Sequence, residues 1–183
     1  MTDWSKSLTG LHERLWQDLA DALAPPARRV VLSSISLTSG PEARMVVLRA
    51  ADRGRAEVAV HTDILSTKVA ELRADPHATI HSWNETLQLQ LRLRGTMRIE
   101  TGAAVAHLWP RIPDGSRSSY GVTPAPGTPI PASDAYDRTP DQAKFAVLTL
   151  EIAEIDAVHL SGDYHRRALY RRQDRWHGAW LAP

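Results

Sequence analysis

A group of cationic and hydroxyl side chains is spaced so that it could hold a phosphate group. Lys68 directly follows Ser66 and Thr67 at the predicted start of a short helix, which Asp63 or Ser66 could cap. A helix N-terminus offers backbone N–H groups without intrahelical partners and a positive partial charge, and both favour a bound anion. Arg44, on a neighbouring predicted strand, could add a bidentate contact. Taken locally, solvated surface charges beside an ordinary N-cap are the more frequent explanation of such a pattern.

A planar amide lies on the polar face of the longest predicted strand, at Gln90. An amide both donates and accepts hydrogen bonds, which suits the polar edge of a heterocycle. An exposed strand glutamine is the more common explanation of one such residue.

Several other chemistries are excluded or disfavoured by composition. The chain has no cysteine, which rules out disulfides, thiolate nucleophiles and cysteine-ligated zinc. Its eight histidines show no paired spacing on one element, so we predict no metal site. A net charge of +1, from 22 basic and 21 acidic residues, argues against a dedicated nucleic-acid binder. Without a long apolar run or a signal-peptide pattern, we expect a cytoplasmic protein with no membrane span.

The elements that must position these residues begin with an amphipathic helix within residues 1–25. Leu8, Leu11, Leu15 and Leu19 recur at helical spacing, and Pro25-Pro26 predicts the end of the helix. Further short helices are predicted at 69–73 and 103–109. Strands are predicted at 30–37, 44–50, 57–61, 77–83, 87–99, 145–152, 156–160, 165–171 and 176–181.

The clearest strand, 87–99, alternates apolar and polar residues with period two, as expected for one buried and one polar face. Gly95 is the natural position for a bulge within it. Residues 110–140 are rich in Pro, Gly, Ser and Asp and predict an irregular excursion, with Tyr120, Ile130 and Tyr136 as possible anchors. These elements together predict one α+β domain over 1–183, built on a mostly antiparallel sheet or barrel.

The order of several short motifs resembles the pyridoxamine 5′-phosphate oxidases and related FMN-binding proteins. Arg44-Met45-Val46-Val47-Leu48-Arg49 is similar to the flavin-binding strand of that family. His61-Thr62-Asp63 and Ser66-Thr67-Lys68 resemble its aromatic-Thr-Asn and Ser-Arg-Lys elements. The segment from Gln90 to Gly95 resembles its Gln-x-x-x-x-Gly strand, and the terminal Leu181-Ala182-Pro183 also matches. Each motif alone is weak evidence for the resemblance, but their occurrence in the same order along the chain is fairly specific.

The resemblance implies an FMN-binding split β-barrel with a few peripheral helices. It further implies a homodimer with FMN at the interface and a small-molecule substrate. Arg44 and Lys68 would bind the FMN phosphate, and Arg167 would come from the other protomer. The full set of implied cofactor contacts is Arg44, Met45, Val46, Val47, Leu48, Arg49, His61, Thr62, Ser66, Thr67, Lys68, Gln90 and Arg167.

Two function classes remain open. The first is an FMN-dependent oxidoreductase in which His165 is the candidate substrate-side group. Its substrate site would be altered, since the family's Arg-x-His-x-Arg element is shortened to Asp163-Tyr164-His165-Arg166-Arg167 and its first arginine has no match. The second is a non-catalytic flavin-binding or stress-related protein on the same fold, because a shared fold does not determine function.

Overall fold

The computed structural model describes residues 3–24, 28–160 and 164–183 of the chain. In these ranges, no helix is both long and apolar enough to cross a membrane. The helices are α1 (Leu8–Asp21), α2 (Thr67–Ala74) and α3 (Asp114–Arg117). The strands are β1 (Arg29–Ser36), β2 (Gly40–Asp52), β3 (Glu57–Asp63), β4 (His77–Asn84), β5 (Leu89–Thr101), β6 (Val122–Thr123), β7 (Asp137–Arg138), β8 (Phe145–His159), β9 (Arg166–Arg171) and β10 (Ala179–Leu181).

Six antiparallel strands close into a barrel. Their order is β8-β3-β2-β1-β4-β5, and β5 pairs back onto β8. Strands β9 and β10 extend the sheet beyond β8. The sequence prediction of an α+β fold built on an antiparallel barrel is therefore confirmed. One strand prediction is wrong: 145–152 and 156–160 form the single strand β8, because β5 pairs with it along almost its whole length.

A bulge lets the long β5–β8 pair curve around the barrel. Arg94 pairs with Glu154 but Gly95 pairs with Ile152, so Ala153 is the extra residue. A bulge bends the strand and increases its twist. At the same point the two backbones approach closely, since a Cβ on Gly95 would lie 1.9 Å from the carbonyl oxygen of Glu151. The bulge predicted at Gly95 is confirmed, with the extra residue on the partner strand.

The barrel interior and one face of α1 form one hydrophobic core. Leu89, Leu91 and Leu93 of β5 are fully buried, as their alternation predicts. The buried leucines of α1 belong to the same cluster, and Ser7 caps that helix by accepting a hydrogen bond from the Gly10 amide at 3.0 Å. The predicted end of this helix at Pro25-Pro26 lies outside the described residues.

Two further sequence predictions need correction at their boundaries. Strand β10 begins at Ala179 rather than at 176, because Arg175 and Trp176 adopt positive φ angles of 53° and 61° that no strand accommodates. The helix predicted at 103–109 consists of two 3-10 segments, Gly102–Ala104 and Ala106–Arg111.

Residues 110–140 contain little regular structure beyond α3 and the two-residue strands β6 and β7, which pair with each other. Of the three anchors proposed from sequence, Tyr120 is buried, whereas Ile130 and Tyr136 are exposed. Tyr120 packs its ring against Phe145 of β8 at 5.1 Å, which fixes this excursion to the outside of the barrel.

The Gly95→Ala substitution tests the close approach at the bulge. The added methyl group must displace backbone rather than a flexible side chain, so we expect a loss of about 1–3 kcal/mol or more in the free energy of unfolding. Gly115→Ala is the matched control, since nothing lies within 4 Å of its Cβ position, and we expect a change within about 0.5 kcal/mol. Urea unfolding of both variants measures the difference. Equal effects would show that the register at Gly95 can relax.

Candidate functional site

The candidate site lies where β2 and β3 separate. Their ladder runs from Asp52 with Glu57 to Leu48 with Val60 and then stops. Arg49 is the extra residue of a bulge at this last pair, because Leu48 pairs with Val60 and Ala50 with Ala59. Beyond it, β2 remains paired with β1 and β3 remains paired with β8 on their outer edges. Beyond this point, the facing edges of β2 and β3 are therefore not paired with each other.

A cavity of about 470 Å³ opens at this separation. Of the residues proposed from sequence, it brings together Met45, Val46, Val47, Arg49, His61, Thr62, Ser66 and Lys68. Residues that the sequence analysis did not propose for the site complete the lining: Asp63, Ser119, Tyr120, Val122, Pro126, Tyr136 and Arg138.

Lys68 brings an uncompensated positive charge into this cavity. Its ammonium group donates to the Thr62 hydroxyl at 3.1 Å and makes no ion pair within the described residues. Burial lowers the pKa of Lys68 below its usual value, and the neighbouring charge of Arg44 lowers it further. The carboxylates of Asp63 and Glu71 only partly oppose this effect. A bound anion would supply the missing counter-charge.

Hydroxyl groups and a helix start complete the phosphate-binding character of the cavity floor. Thr62 and Ser66 are both buried, and their hydroxyl oxygens lie 3.1 Å apart. Ser66 stands at the N-cap of α2, but its hydroxyl donates to the Asp63 carbonyl at 2.8 Å and makes no cap bond. The first amides of α2 are therefore not satisfied by that side chain. The Val69 amide donates to the Ser66 carbonyl at 2.9 Å, which leaves the amides of Thr67 and Lys68. A cation, buried hydroxyls and these two amides together fit a phosphate group.

Arg44 does not line the cavity. Its guanidinium group donates to Glu71 at 2.8 Å and also to the Ser34 hydroxyl, which itself donates to Glu71 at 2.6 Å. Glu71 is buried and Arg44 is mostly so. Arg44 therefore neutralises Glu71 rather than a ligand, and its charge is one cause of the lowered pKa of Lys68. Its predicted contact with a phosphate stays a prediction.

Two other proposed residues, Leu48 and Thr67, do not line the cavity. Leu48 is fully buried in the barrel core, so only its backbone can take part. Thr67 is exposed at the start of α2, and its methyl group lies beside Gly127 of the excursion.

Gln90 and Arg167 lie on a different face of the barrel from the cavity. Both are cross-strand neighbours of Val158, Gln90 on β5 and Arg167 on β9. Strand β5 is three strands away from β2 in either direction around the barrel. Arg167 donates twice to the buried Asp156, at 3.1 and 2.9 Å. His165 is exposed immediately before β9, on this same side.

His61 is neutral at physiological pH. It makes an edge-on contact with Phe145, with ring centroids 4.9 Å apart. Burial, and then the charge of Arg49, lower the pKa of His61 to about 4. The imidazole therefore offers one hydrogen-bond donor and one acceptor to a ligand.

The excursion supplies the outer wall of the cavity. The Asp63 carboxylate accepts hydrogen bonds from the Leu65 amide at 2.8 Å and from the Gly121 amide at 2.9 Å. This contact ties residues 119–122 to the end of β3. The sequence contained a signal for Tyr120, which was proposed as an anchor, but none for Arg138, whose position depends on how the excursion folds.

Comparisons with known proteins agree with this geometry. The family model described as "Pyridoxamine 5′-phosphate oxidase, FMN-binding domain" matches residues 3–101. No curated protein matches the chain by sequence.

Solved structures share the fold at low sequence identity. A pyridoxamine 5′-phosphate oxidase-related, FMN-binding protein from Nostoc punctiforme is 22% identical with a TM-score of 0.72, over 100% of this chain and 99% of that one. PhzG from Burkholderia lata, in complex with tetrahydrophenazine-1-carboxylic acid, is 18% identical with a TM-score of 0.74, over 100% and 97%. General stress protein 26 from Bacillus anthracis is 14% identical with a TM-score of 0.54, over 79% and 93%.

The pKa of His61 predicts a pH dependence of stability. Between pH 6.5 and about 4 the unfolded chain protonates this residue and the folded chain does not, so stability falls as the pH drops through that window. His61→Phe keeps an aromatic ring against Phe145 and removes the titration. Urea unfolding across this pH range should show a steeper loss of stability in the wild type than in the variant. Parallel curves would show that His61 titrates like a solvated histidine.

Proposed function

Because the chain belongs to the pyridoxamine 5′-phosphate oxidase FMN-binding domain family, we propose that it binds FMN between β2 and β3 and acts as an oxidoreductase. The observation that carries the proposal is Lys68, a half-buried cation beside two buried hydroxyls with no carboxylate paired to it in the described chain. A phosphate monoester is the counter-charge that this arrangement suits.

The cofactor phosphate would lie at the start of α2. There Lys68 would donate a charge-assisted hydrogen bond, and the Thr62 hydroxyl and the amides of Thr67 and Lys68 would supply neutral donors. Arg44 would not bind the phosphate directly in this arrangement, because its guanidinium group is paired with Glu71.

The flavin ring would extend along the separated strand edges. Met45, Val46 and Val47 give one side of the cavity an apolar surface, and the facing backbone edges of β2 and β3 are open to hydrogen bonding. His61 adds a neutral donor and acceptor. Bound FMN would supply the hydride-transfer chemistry, and these residues would bind and orient it.

A non-catalytic flavin-binding protein is the second candidate. It is favoured by Asp63, the one carboxylate lining the cavity within the described residues, which is already occupied by two backbone amides. Both PhzG and a general stress protein share the fold. Steady-state oxidation of pyridoxamine 5′-phosphate, followed by a wider substrate screen, separates the two candidates: bound FMN without turnover of any compound supports the second.

We further propose that the working unit is a homodimer. The residues assigned to one flavin fall into two half-sites, the Lys68 cavity and the Gln90–Arg167 face, with β2 and β5 on opposite sides of one barrel. A second copy could bring its Gln90–Arg167 face to the first copy's cavity. Exposed apolar side chains at Met45, Trp180 and Leu181 are consistent with a covered surface.

Lys68→Ala should weaken FMN far more than riboflavin, since riboflavin has no phosphate. A charge-assisted hydrogen bond is worth about 1.5–3 kcal/mol, which corresponds to a roughly ten- to hundredfold loss of FMN affinity. Fluorescence titration of the flavin-free protein with both ligands measures the difference.

Arg73→Ala is the matched control for this substitution. It removes the same charge from the exposed end of α2, outside the cavity, and should leave both affinities unchanged. Equal losses of FMN and riboflavin in Lys68→Ala would mean that the ring pocket has collapsed, and the phosphate assignment would then be abandoned.

A mixed dimer tests whether the two half-sites come from different chains. Lys68→Ala and Arg167→Ala chains should each bind FMN weakly as homodimers. A heterodimer of the two carries one fully native site and one doubly altered site, so it should bind one FMN per dimer with native affinity. If both half-sites belonged to the same chain, no native site would form. A monomer mass in sedimentation at every concentration would also rule the dimer out.

A further inference from the structure

One buried carboxylate lies outside the cavity, next to the residues of the second half-site. Asp156 of β8 is 1% exposed and does not line the Lys68 cavity. It stands two residues before Val158, the cross-strand neighbour of both Gln90 and Arg167. Residues two apart on a strand point to the same face of a sheet, so this carboxylate lies on the Gln90–Arg167 face. A carboxylate buried so deeply needs charged or hydrogen-bonding partners.

Three arginines surround this carboxylate. Arg167 of β9 places its Nε 3.1 Å from Oδ1 and its terminal Nη2 2.9 Å from Oδ2, so its planar fork holds both oxygens. Arg92 of β5 donates to Oδ2, and Nη2 of Arg94 lies 3.6 Å from the same atom. Burial raises the pKa of Asp156, but the hydrogen bond from Arg167 and the charges of all three arginines outweigh that effect, and the pKa lies below its usual value. Asp156 is therefore ionised at neutral pH.

The orientation of Arg167 depends on Asp156 alone among the carboxylates of the described chain. Arg94 also pairs with Glu154, whereas Arg167 has no second acidic partner in the described ranges. The side chain of Arg167 is partly exposed, and its remaining terminal nitrogen, Nη1, makes no hydrogen bond to a described residue. That nitrogen is available to a ligand. Without the carboxylate, a long flexible side chain would have to be ordered when the ligand binds, which costs affinity.

We propose that Asp156 is a positioning residue, which holds the Arg167 guanidinium group in place on the Gln90–Arg167 face before the flavin binds. The inference rests on the proposed flavin site, in which Arg167 contacts the cofactor bound in the cavity of a second copy. Asp156 itself would not touch the flavin, because both of its oxygens are occupied by guanidinium groups. It would act only through Arg167, by reducing the conformational entropy that this side chain loses on binding.

A double-mutant cycle tests this role, with FMN affinity measured by fluorescence titration of the flavin-free protein. Asp156→Asn keeps the size of the side chain but removes its charge and one accepting oxygen. It should weaken FMN roughly three- to tenfold, which corresponds to ordering one rotamer-rich side chain. In an Arg167→Ala background, the same substitution should change FMN affinity by less than about twofold, because no guanidinium group is left to position.

Two results of the cycle would overturn the proposal. Equal losses of FMN affinity in both backgrounds would show that the carboxylate supports the fold and does not act through Arg167. Tighter FMN binding in Asp156→Asn would show that the carboxylate acts by repelling the phosphate.

Glu154→Gln is the matched control. Glu154 is a neighbouring carboxylate of β8 that pairs with Arg94 and Arg171 but not with Arg167. Its neutralisation changes the charge of the face by the same amount and should leave FMN affinity within about twofold. A loss as large as that of Asp156→Asn would mean that the total charge of the face, and not the position of Arg167, sets the affinity, and the proposal would be abandoned.

A second variant keeps the test decisive if Asp156→Asn alone does not fold. Removing one partner of a buried ion pair leaves the other without its counter-charge, which is destabilising. Asp156→Asn is therefore combined with Arg92→Gln, which removes one of the arginines that would be left unpaired. With Arg92→Gln as the reference, the combined variant should show the same loss of FMN affinity, and that loss should again disappear in the Arg167→Ala background.

A readout without FMN separates this proposal from the flavin assignment. In the flavin-free protein, the Arg167 Nε–H group should give a sharp NMR signal that exchanges slowly with water, identified by its absence in Arg167→Ala. Asp156→Asn should broaden this signal or speed its exchange. If the wild type binds no FMN but the signal depends on Asp156 in this way, the flavin assignment falls and the positioning of Arg167 stands. If FMN binds normally and the signal does not depend on Asp156, the positioning role falls alone.

Discussion

The separation of β2 from β3 is the constraint on which the rest of the site depends. A sheet normally satisfies both edges of an interior strand, and an unpaired edge buried away from water is costly. Here the β2–β3 ladder stops at Leu48 and Val60, one pair beyond the Arg49 bulge, while β1 and β8 pair with the outer edges. The barrel stays closed on its other seams, because β8 pairs with β5 along nearly its whole length. The gap is therefore an opening between two strands that are each paired on their outer edge, with the excursion as its outer wall.

Charge is distributed unevenly around that opening. Under the cavity, the Arg44–Glu71 pair balances its own charge and is shielded from water, where breaking it would leave a buried carboxylate without a partner. Inside the cavity, Lys68, Arg49 and Arg138 have no ion-pair partner in the described chain. Burial, and then the charge of Arg49 for His61 and of Arg44 for Lys68, lowers the pKa of both groups.

Local patterns predicted β5 and the start of α2, the elements that carry Gln90 and Lys68. Three of these patterns involve only residues that are close in sequence: the alternation in β5, the bulge at Gly95 and the hydroxyl-rich start of α2. The structure contains all three. The pairing of Arg44 with Glu71 could not be predicted in this way, because the two residues are 27 positions apart and meet only when α2 packs against the barrel. Arg138 could not be predicted for the same reason, because contacts between residues distant in sequence set its place in the cavity. These contacts are the β6–β7 ladder and the Asp63–Gly121 hydrogen bond.

The position of Gln90 and Arg167 follows from this geometry. Closing a barrel of six strands places β5 opposite β2, so residues that a colinear motif assigns to one ligand end up on opposite surfaces of a single chain. On the β5–β8–β9 face, Asp156 is buried beneath Arg167 and Arg92 and holds both guanidinium groups in place. Because the buried carboxylate already orders these two arginine side chains, they would lose little further conformational entropy on binding a ligand or partner. The Gln90–Arg167 face and the cavity between β2 and β3 therefore lie on opposite sides of one chain, which is the arrangement that the proposed homodimer would use.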